Sequence, residues 1–341
     1  MSEPSDTTER LPGGEGETER RSGRHTRDRA VHIPKSAWII AAALVITAAS
    51  VFTIMTLTSS PSRHPQAAKP AHPAQPAHPA VHFNTLPPGA KLPSGAECAR
   101  LVKASPSPEV RADNARFNHT VGQHVPATFF PAGDLPQVSK LAPRISGNFT
   151  GSTADILRWA ACKWGIDQNI VFAEAAVESW WQQGFVGDWT KDVTTCPPGH
   201  GLGVDGVPGE CPQSYGILQN KFTFERDAWP GLGDSTAMNV DAMYSIWRSC
   251  YDGYEVWLNN EPRGREYSGG DLWGCIGRWF AGSWYTPDAN RYISKVQEYL
   301  SEQVWLKPDF PWTTTNPSGL CSEFRQSQLM KLPVAPTWGA D

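Results

Sequence analysis

The stretch NIVFAEAAVESWWQQ, residues 169–183, decides how the rest of the chain is read. Its apolar positions run nearly all the way round a helix, which marks a central helix rather than a surface one. Yet Glu174 and Glu178 stand one helical turn apart within it. A buried carboxylate is costly unless it is paired, hydrogen-bonded or protonated. Either one of these glutamates does chemistry, or the helix has a wet edge. A carboxyl among apolar rings has its pKa raised and can still carry a proton near neutral pH. Trp180, Trp181 and the Ala/Val wall offer Glu178 such surroundings. Glu174 can couple with Glu178, but reads more simply as a solvated or hydrogen-bonded helix position.

Working outward, the neighbouring segments are helical too. STADILRWAACKWG has Ser152 or Thr153 as N-cap and Gly165 as a stop, and Asp167 caps the next helix. A third helical segment covers 234–260, with Met238, Ala242, Ile246 and Tyr251 near one stripe. A fourth covers 269–282, and a fifth, 288–305, starts just past Pro287. No convincing strand alternation is present, so the fold class expected is mainly α. Arg248, Arg278 and Arg291 read as ordinary helix-surface charges.

Bulk composition narrows the function. Net charge is −4, and the first 36 residues balance seven basic against seven acidic side chains. A nucleic-acid binder would need a basic face to neutralise phosphates, so nucleic acid is not expected as a partner. Of 15 tryptophans, all but Trp38 and Trp338 lie between Trp159 and Trp312. Such a concentration serves an aromatic core, a cleft that stacks sugar rings, or both.

Residues 37–57, AWIIAAALVITAASVFTIMTL, form an uncharged run long enough to span a bilayer as a helix. Arg20, Arg21, Arg24, Arg27, Arg29 and Lys35 precede it, and only Arg63 and Lys69 follow within the next 23 residues. The positive-inside rule then places the N-terminus in the cytoplasm and the remainder outside. A cleaved signal peptide is the rival, but its apolar core would be shorter, and TAAS (47–50) falls inside the run. The expectation is a single-pass membrane protein. It has a disordered tail (1–36), the transmembrane helix (37–57) and a Pro/Ala-rich linker (58–91) in extended polyproline form. An irregular lead-in (92–145), the main domain (146–306) and a Pro-rich tail (307–341) follow. NHT at 118 and NFT at 148 match glycosylation acceptors, a short pattern frequent by chance.

All seven cysteines follow the apolar run, as suits an oxidising exterior. Cys196 and Cys211 bracket a Gly/Pro-rich loop that needs a staple. Cys250 and Cys275 fall in successive helical segments and can tie them together. Cys98, Cys162 and Cys321 remain, with their connectivity open. No paired metal-ligand spacing occurs and His200 is the one histidine near these later cysteines, so neither a metal nor a cofactor is expected.

After Glu178 and Ser179 come SYGILQ (214–219) and WFAGSWYTPDANRYISKV (279–296). A helix ending in Glu-Ser, a Gly-x-x-Gln segment, an Ala-Gly turn and a Tyr opening the last helix resemble, in that order, the lytic transglycosylases of the lysozyme-like superfamily. The resemblance covers about residues 152–303. It implies Glu178 as the single catalytic acid and Ser179 as its neighbour. Gly216 and Gln219 would line the sugar cleft, Ala281 and Gly282 match the end of the third motif, and Tyr292 matches the closing Tyr. Trp181 and Trp279 are candidate sugar-binding rings. Where the family has Tyr-Asn, this chain has Trp279-Phe280, and the interval between Glu178 and Ser214 is longer than usual. The activity implied is cleavage of peptidoglycan glycan strands between N-acetylmuramic acid and N-acetylglucosamine, leaving 1,6-anhydro ends. Two alternatives stand beside it. One is a hydrolytic muramidase drawing a second carboxylate from Asp188, Asp192 or Asp205, although loop aspartates are more often turn formers. The other is a glycan-binding module without catalysis.

Overall fold

The structure, a computed structural model, describes residues 81–311. The tail 1–36, the apolar run 37–57, most of the linker, Cys321 and nearly all of the C-terminal tail lie outside the described residues. Within them the chain is mainly helical. In chain order the helices are α1 (Gly95–Lys103), α2 (Ala115–Asn118), α3 (Thr153–Trp164) and α4 (Gln168–Ser179), then α5 (Gly231–Asp234), α6 (Thr236–Tyr251), α7 (Leu272–Ala281) and α8 (Pro287–Glu302). Among the described residues no helix is long and apolar enough to cross a membrane.

The caps at Ser152 and Asp167 act where the sequence places them, while the last helix starts at Pro287, one residue before the 288 expected. Ser152 accepts from Asp155 N, Asp167 from Asn169 N, and Thr286 caps α8 ahead of Pro287. α4 packs between α3 and α8, α3 lies on α6, and α7 lies along α8. All sixteen residues of α6 are buried. The sequence showed only one apolar stripe there, because Asn239, Asp241, Ser245 and Arg248 interrupt the others; each is buried with polar partners instead. Trp159, Trp164, Trp247 and Trp284 are fully buried, so much of the tryptophan content is core packing.

Between α4 and α6 lies a small antiparallel sheet in the order β1 (Val186–Gly187), β2 (Ser214–Tyr215), β3 (Asn220–Lys221). Tyr215 pairs with Val186 on one side and Asn220 on the other. Two-residue strands are too short to show alternation in sequence.

Three disulfides join Cys98 to Cys162, Cys196 to Cys211 and Cys250 to Cys275. The first staples α1 to α3, and α1 is a full helix of nine residues, more regular than the lead-in expected from sequence. The chain ahead of it is strapped down as well. Phe83 is buried, Leu86 N donates to Gly165 O, and Arg248 donates to the carbonyls of Leu86 and Pro87. Residues 81–91, read as the end of the spacer, therefore pack on the domain. At the other end Phe310, read as tail, is buried against Trp180 and Trp181.

Two arginines differ from their surface reading. Arg248 is fully buried and pairs with Asp252 at 2.7 Å, while Gly89 N donates to the same carboxylate. α6 ends at Tyr251, short of the 260 expected, where Asp252 caps it and Gly253 turns to φ 84°. Arg278 is mostly buried and pairs with Glu255. Arg291 is exposed beside Asp288. Asn118 is buried and donates to Glu109 and Thr153, which removes it as a glycosylation acceptor.

Candidate active site

The centre of the domain is a chain of four hydrogen-bonding side chains from three helices. Glu174 and Glu178 share one face of α4, a consequence of their i,i+4 spacing. Tyr292, near the start of α8, brings its hydroxyl to 2.5 Å from Glu178 Oε1 and 3.4 Å from Glu174 Oε1. Tyr244, mid-way along α6, donates to Glu174 Oε2 at 3.1 Å. Glu174 is 0% exposed, Glu178 2% and Tyr292 1%.

The electrostatics follow from that burial. Desolvation, and secondarily the adjacent Glu178 carboxyl, hold Glu174 well above the usual carboxylate range; the two tyrosine hydrogen bonds pull the other way. Burial is likewise the largest cause that raises Tyr244 and Tyr292, so both phenols keep their protons at any physiological pH.

The end of α4 is built with care around Glu178. Trp180 and Trp181 follow it at φ 57° and 62°, left-handed backbone that bulky residues rarely adopt. Their N–H groups close the helix onto Ala176 O and Ala175 O. The indoles anchor the turn: Trp180 donates to Phe310 O and Trp181 to Phe172 O. Trp181 thus spends its ring in the core, packed on Phe172 and Phe310.

Ser179 points toward the second motif. Its hydroxyl donates to Ile217 O at 2.8 Å and accepts from Gln182 N. Gly216 sits at φ 82° with Asn239 Nδ2 where a Cβ would go, at 2.1 Å, so no larger residue fits. Asn239 and Gln183, both buried, hold this turn: Asn239 Oδ1 accepts from Leu218 N, and Gln183 Oε1 accepts from Ile217 N. Gln219 donates to the carbonyls of Gly216 and Phe185, and its Oε1 is buried without a protein partner.

The third motif closes α7, where Gly282 caps the helix at φ 60°. Trp279 is half-buried against the core, and Phe280 stacks on the Tyr292 ring with centroids 4.8 Å apart. The three candidate loop aspartates have separate partners, and that of Asp188 belongs to the 214–219 segment itself. Asp188 accepts from Ser214 Oγ, Asp192 caps the turn 193–195, and Asp205 faces His200. Among the described residues no three His, Cys, Asp or Glu side chains converge to hold a metal ion.

The structure therefore joins Glu178 to Tyr292 directly and Ser179 to the 214–219 turn, while Trp181 serves packing. Sequence reading missed Tyr244, an unremarkable aromatic in a helix, and the turn-holding pair Asn239 and Gln183. The i,i+4 spacing of Glu174 was visible, but its depth was not. No family model, curated protein or solved structure matches this chain.

Proposed function

We propose that the domain cleaves peptidoglycan glycan strands as a lytic transglycosylase of lysozyme-like type, held at the outer face of the cell membrane by residues 37–57. A single observation carries this reading: Glu178 and Tyr292, 114 positions apart, meet at 2.5 Å in the motif order that resembles that family. The tie from Ser179 to Ile217 supports it, since it sets the Gly216–Gln219 turn beside the end of α4.

The chemistry needs one carboxyl. The protonated Glu178 gives its proton to the bridging oxygen while the bond from C1 to that oxygen breaks and positive charge grows on the sugar ring. The carboxylate left behind then takes the proton of the C6 hydroxyl as that oxygen bonds C1, closing the anhydro ring and regenerating the acid. Tyr292 donates to Glu178 Oε1 and so supports the carboxylate that exists between the two steps. At 2% exposure Glu178 is reached by a glycan only once a neighbouring side chain shifts. An anchor near an insoluble polymer raises its effective concentration.

The test is digestion of purified peptidoglycan by the full-length protein in detergent, with product mass analysis. Anhydro ends are the expected result. Reducing ends would favour a muramidase, and intact strands with retained binding would favour a glycan-binding module.

A further inference from the structure

We infer that Phe280 is a positioning residue: its ring lies flat on that of Tyr292 and holds the Tyr292 hydroxyl against Glu178. The inference rests on the reading of Glu178 given above and deepens it.

The placement starts at Gly277. A Cβ there would lie 2.8 Å from Ile293 Cδ1 and 3.1 Å from Ala289 Cβ, so α7 meets α8 at this point with no side chain of its own between them. Phe280 stands three residues on from Gly277, and Tyr292 three on from Ala289, so each shares a helix face with that contact. The two rings stack there, with centroids 4.8 Å apart and an interplanar angle of 4°. Parallel, offset stacking is an arrangement that aromatic pairs favour. Gly282 then ends α7 at φ 60°, which fixes the last turn, the one that carries Phe280. This is the position at which the sequence departs from the Tyr-Asn of the third motif, and the structure fills it with a ring against Tyr292.

The need for such a hold is geometric. Two carboxyl oxygens face the one hydroxyl, Glu178 Oε1 at 2.5 Å and Glu174 Oε1 at 3.4 Å. The hydroxyl is the far end of the side chain, and a turn of about 10° in χ1 moves it by about an ångström. That is enough to exchange a short contact for a long one, and a misplacement of about that size can cost on the order of a hundredfold in rate. Tyr292 is almost fully buried, and its ring cannot tilt toward α7 without displacing Phe280.

The contact being held supports the Glu178 carboxylate, which forms as the proton leaves. Without it Glu178 is a weaker acid and keeps its proton to higher pH. Glu174 on the same helix, Tyr244 from α6 and Tyr292 from α8 face Glu178, and a Phe280 variant alters none of them.

Two measurements on the full-length protein in detergent test the idea. The Tyr292 hydroxyl proton, in so short a bond, should resonate far downfield in the proton NMR spectrum, and Tyr292→Phe assigns it by removing it. Phe280→Leu should weaken that resonance or move it upfield, whereas Phe280→Tyr, which keeps the ring, should leave it near its wild-type position. An unchanged resonance in Phe280→Leu, or none in the wild type, overturns the inference. In glycan digestion, Phe280→Leu should lose about tenfold in kcat with KM unchanged. The alkaline limb of its kcat profile should move to higher pH by up to about one pH unit. Phe280→Tyr should recover both. A rise in KM at unchanged kcat would make Phe280 a sugar contact. No loss in kcat, an equal loss in both variants, or a loss that leaves the alkaline limb in place would reduce the stack to packing. Each of these overturns the inference. A wild-type protein that cleaves no glycan overturns the proposed function instead, and the NMR resonance alone then decides whether Phe280 holds Tyr292.

Discussion

Asp241 on α6 and Glu174 on α4 are both fully buried acids, and the molecule treats them in opposite ways. Asp241 is surrounded by donors: Lys163 Nζ at 2.6 Å, Trp164 Nε1 at 2.7 Å, and the backbone N–H groups of Ser146 and Gly147 at 2.9 Å. Its cation is local, and four hydrogen bonds hold one charged geometry. Glu174 meets two phenols and a second carboxyl. The first arrangement fixes a charge in the core for structure. The second, with no cation among its neighbours, leaves burial to raise the carboxyl well above its usual range. What separates a structural acid from a poised one is the sign of its neighbours, at equal burial.

The largest effect expected is at the structural acid. Lys163→Met should leave the buried Asp241 carboxyl without its cation and cost about 3–5 kcal/mol in denaturant unfolding; a loss under about 1 kcal/mol would erase the contrast. Next is the pH dependence of stability. Burial, then the adjacent Glu178, holds Glu174 of the folded chain well above the 4.5 at which it ionises when unfolded. Above that point the unfolded chain holds fewer protons, so stability is full below it and falls by up to about 1.4 kcal/mol per pH unit as pH rises toward the folded pKa. Glu225, Glu255 and Asp134, pushed by burial to about 8, 7 and 6 against the opposing pull of Arg278, add to the same slope. The midpoint of thermal unfolding should drop between pH 5 and 8, and Glu174→Gln should flatten that drop and stabilise the protein at the upper end. A slope unchanged by Glu174→Gln would place the titration elsewhere. The smallest effect belongs to Tyr244→Phe, which removes one hydrogen bond to Glu174 and should cost about 1 kcal/mol, measured by the same unfolding curves.

The helices were largely legible in the sequence because their signals are local. Ser152 and Asp167 cap their own helices, and Gly165 and Gly282 end theirs. The meeting of Glu178 and Tyr292 was implied by motif order alone, and no local signal reports a contact across 114 residues. What stayed hidden was depth. Arg248 looks like a surface charge until the strap at Leu86 and Pro87 covers it. Glu174 looks like a wet edge until α6 and α8 close over α4. Both depend on which distant elements pack there, and side-chain type does not encode that.

Glu178→Gln in the full-length protein is the most direct test of the central claim, because it keeps shape and hydrogen-bonding capacity while removing the acid. Glycan binding should persist, and cleavage should fall by about 10²–10⁴-fold or more. Turnover equal to wild type would contradict the account.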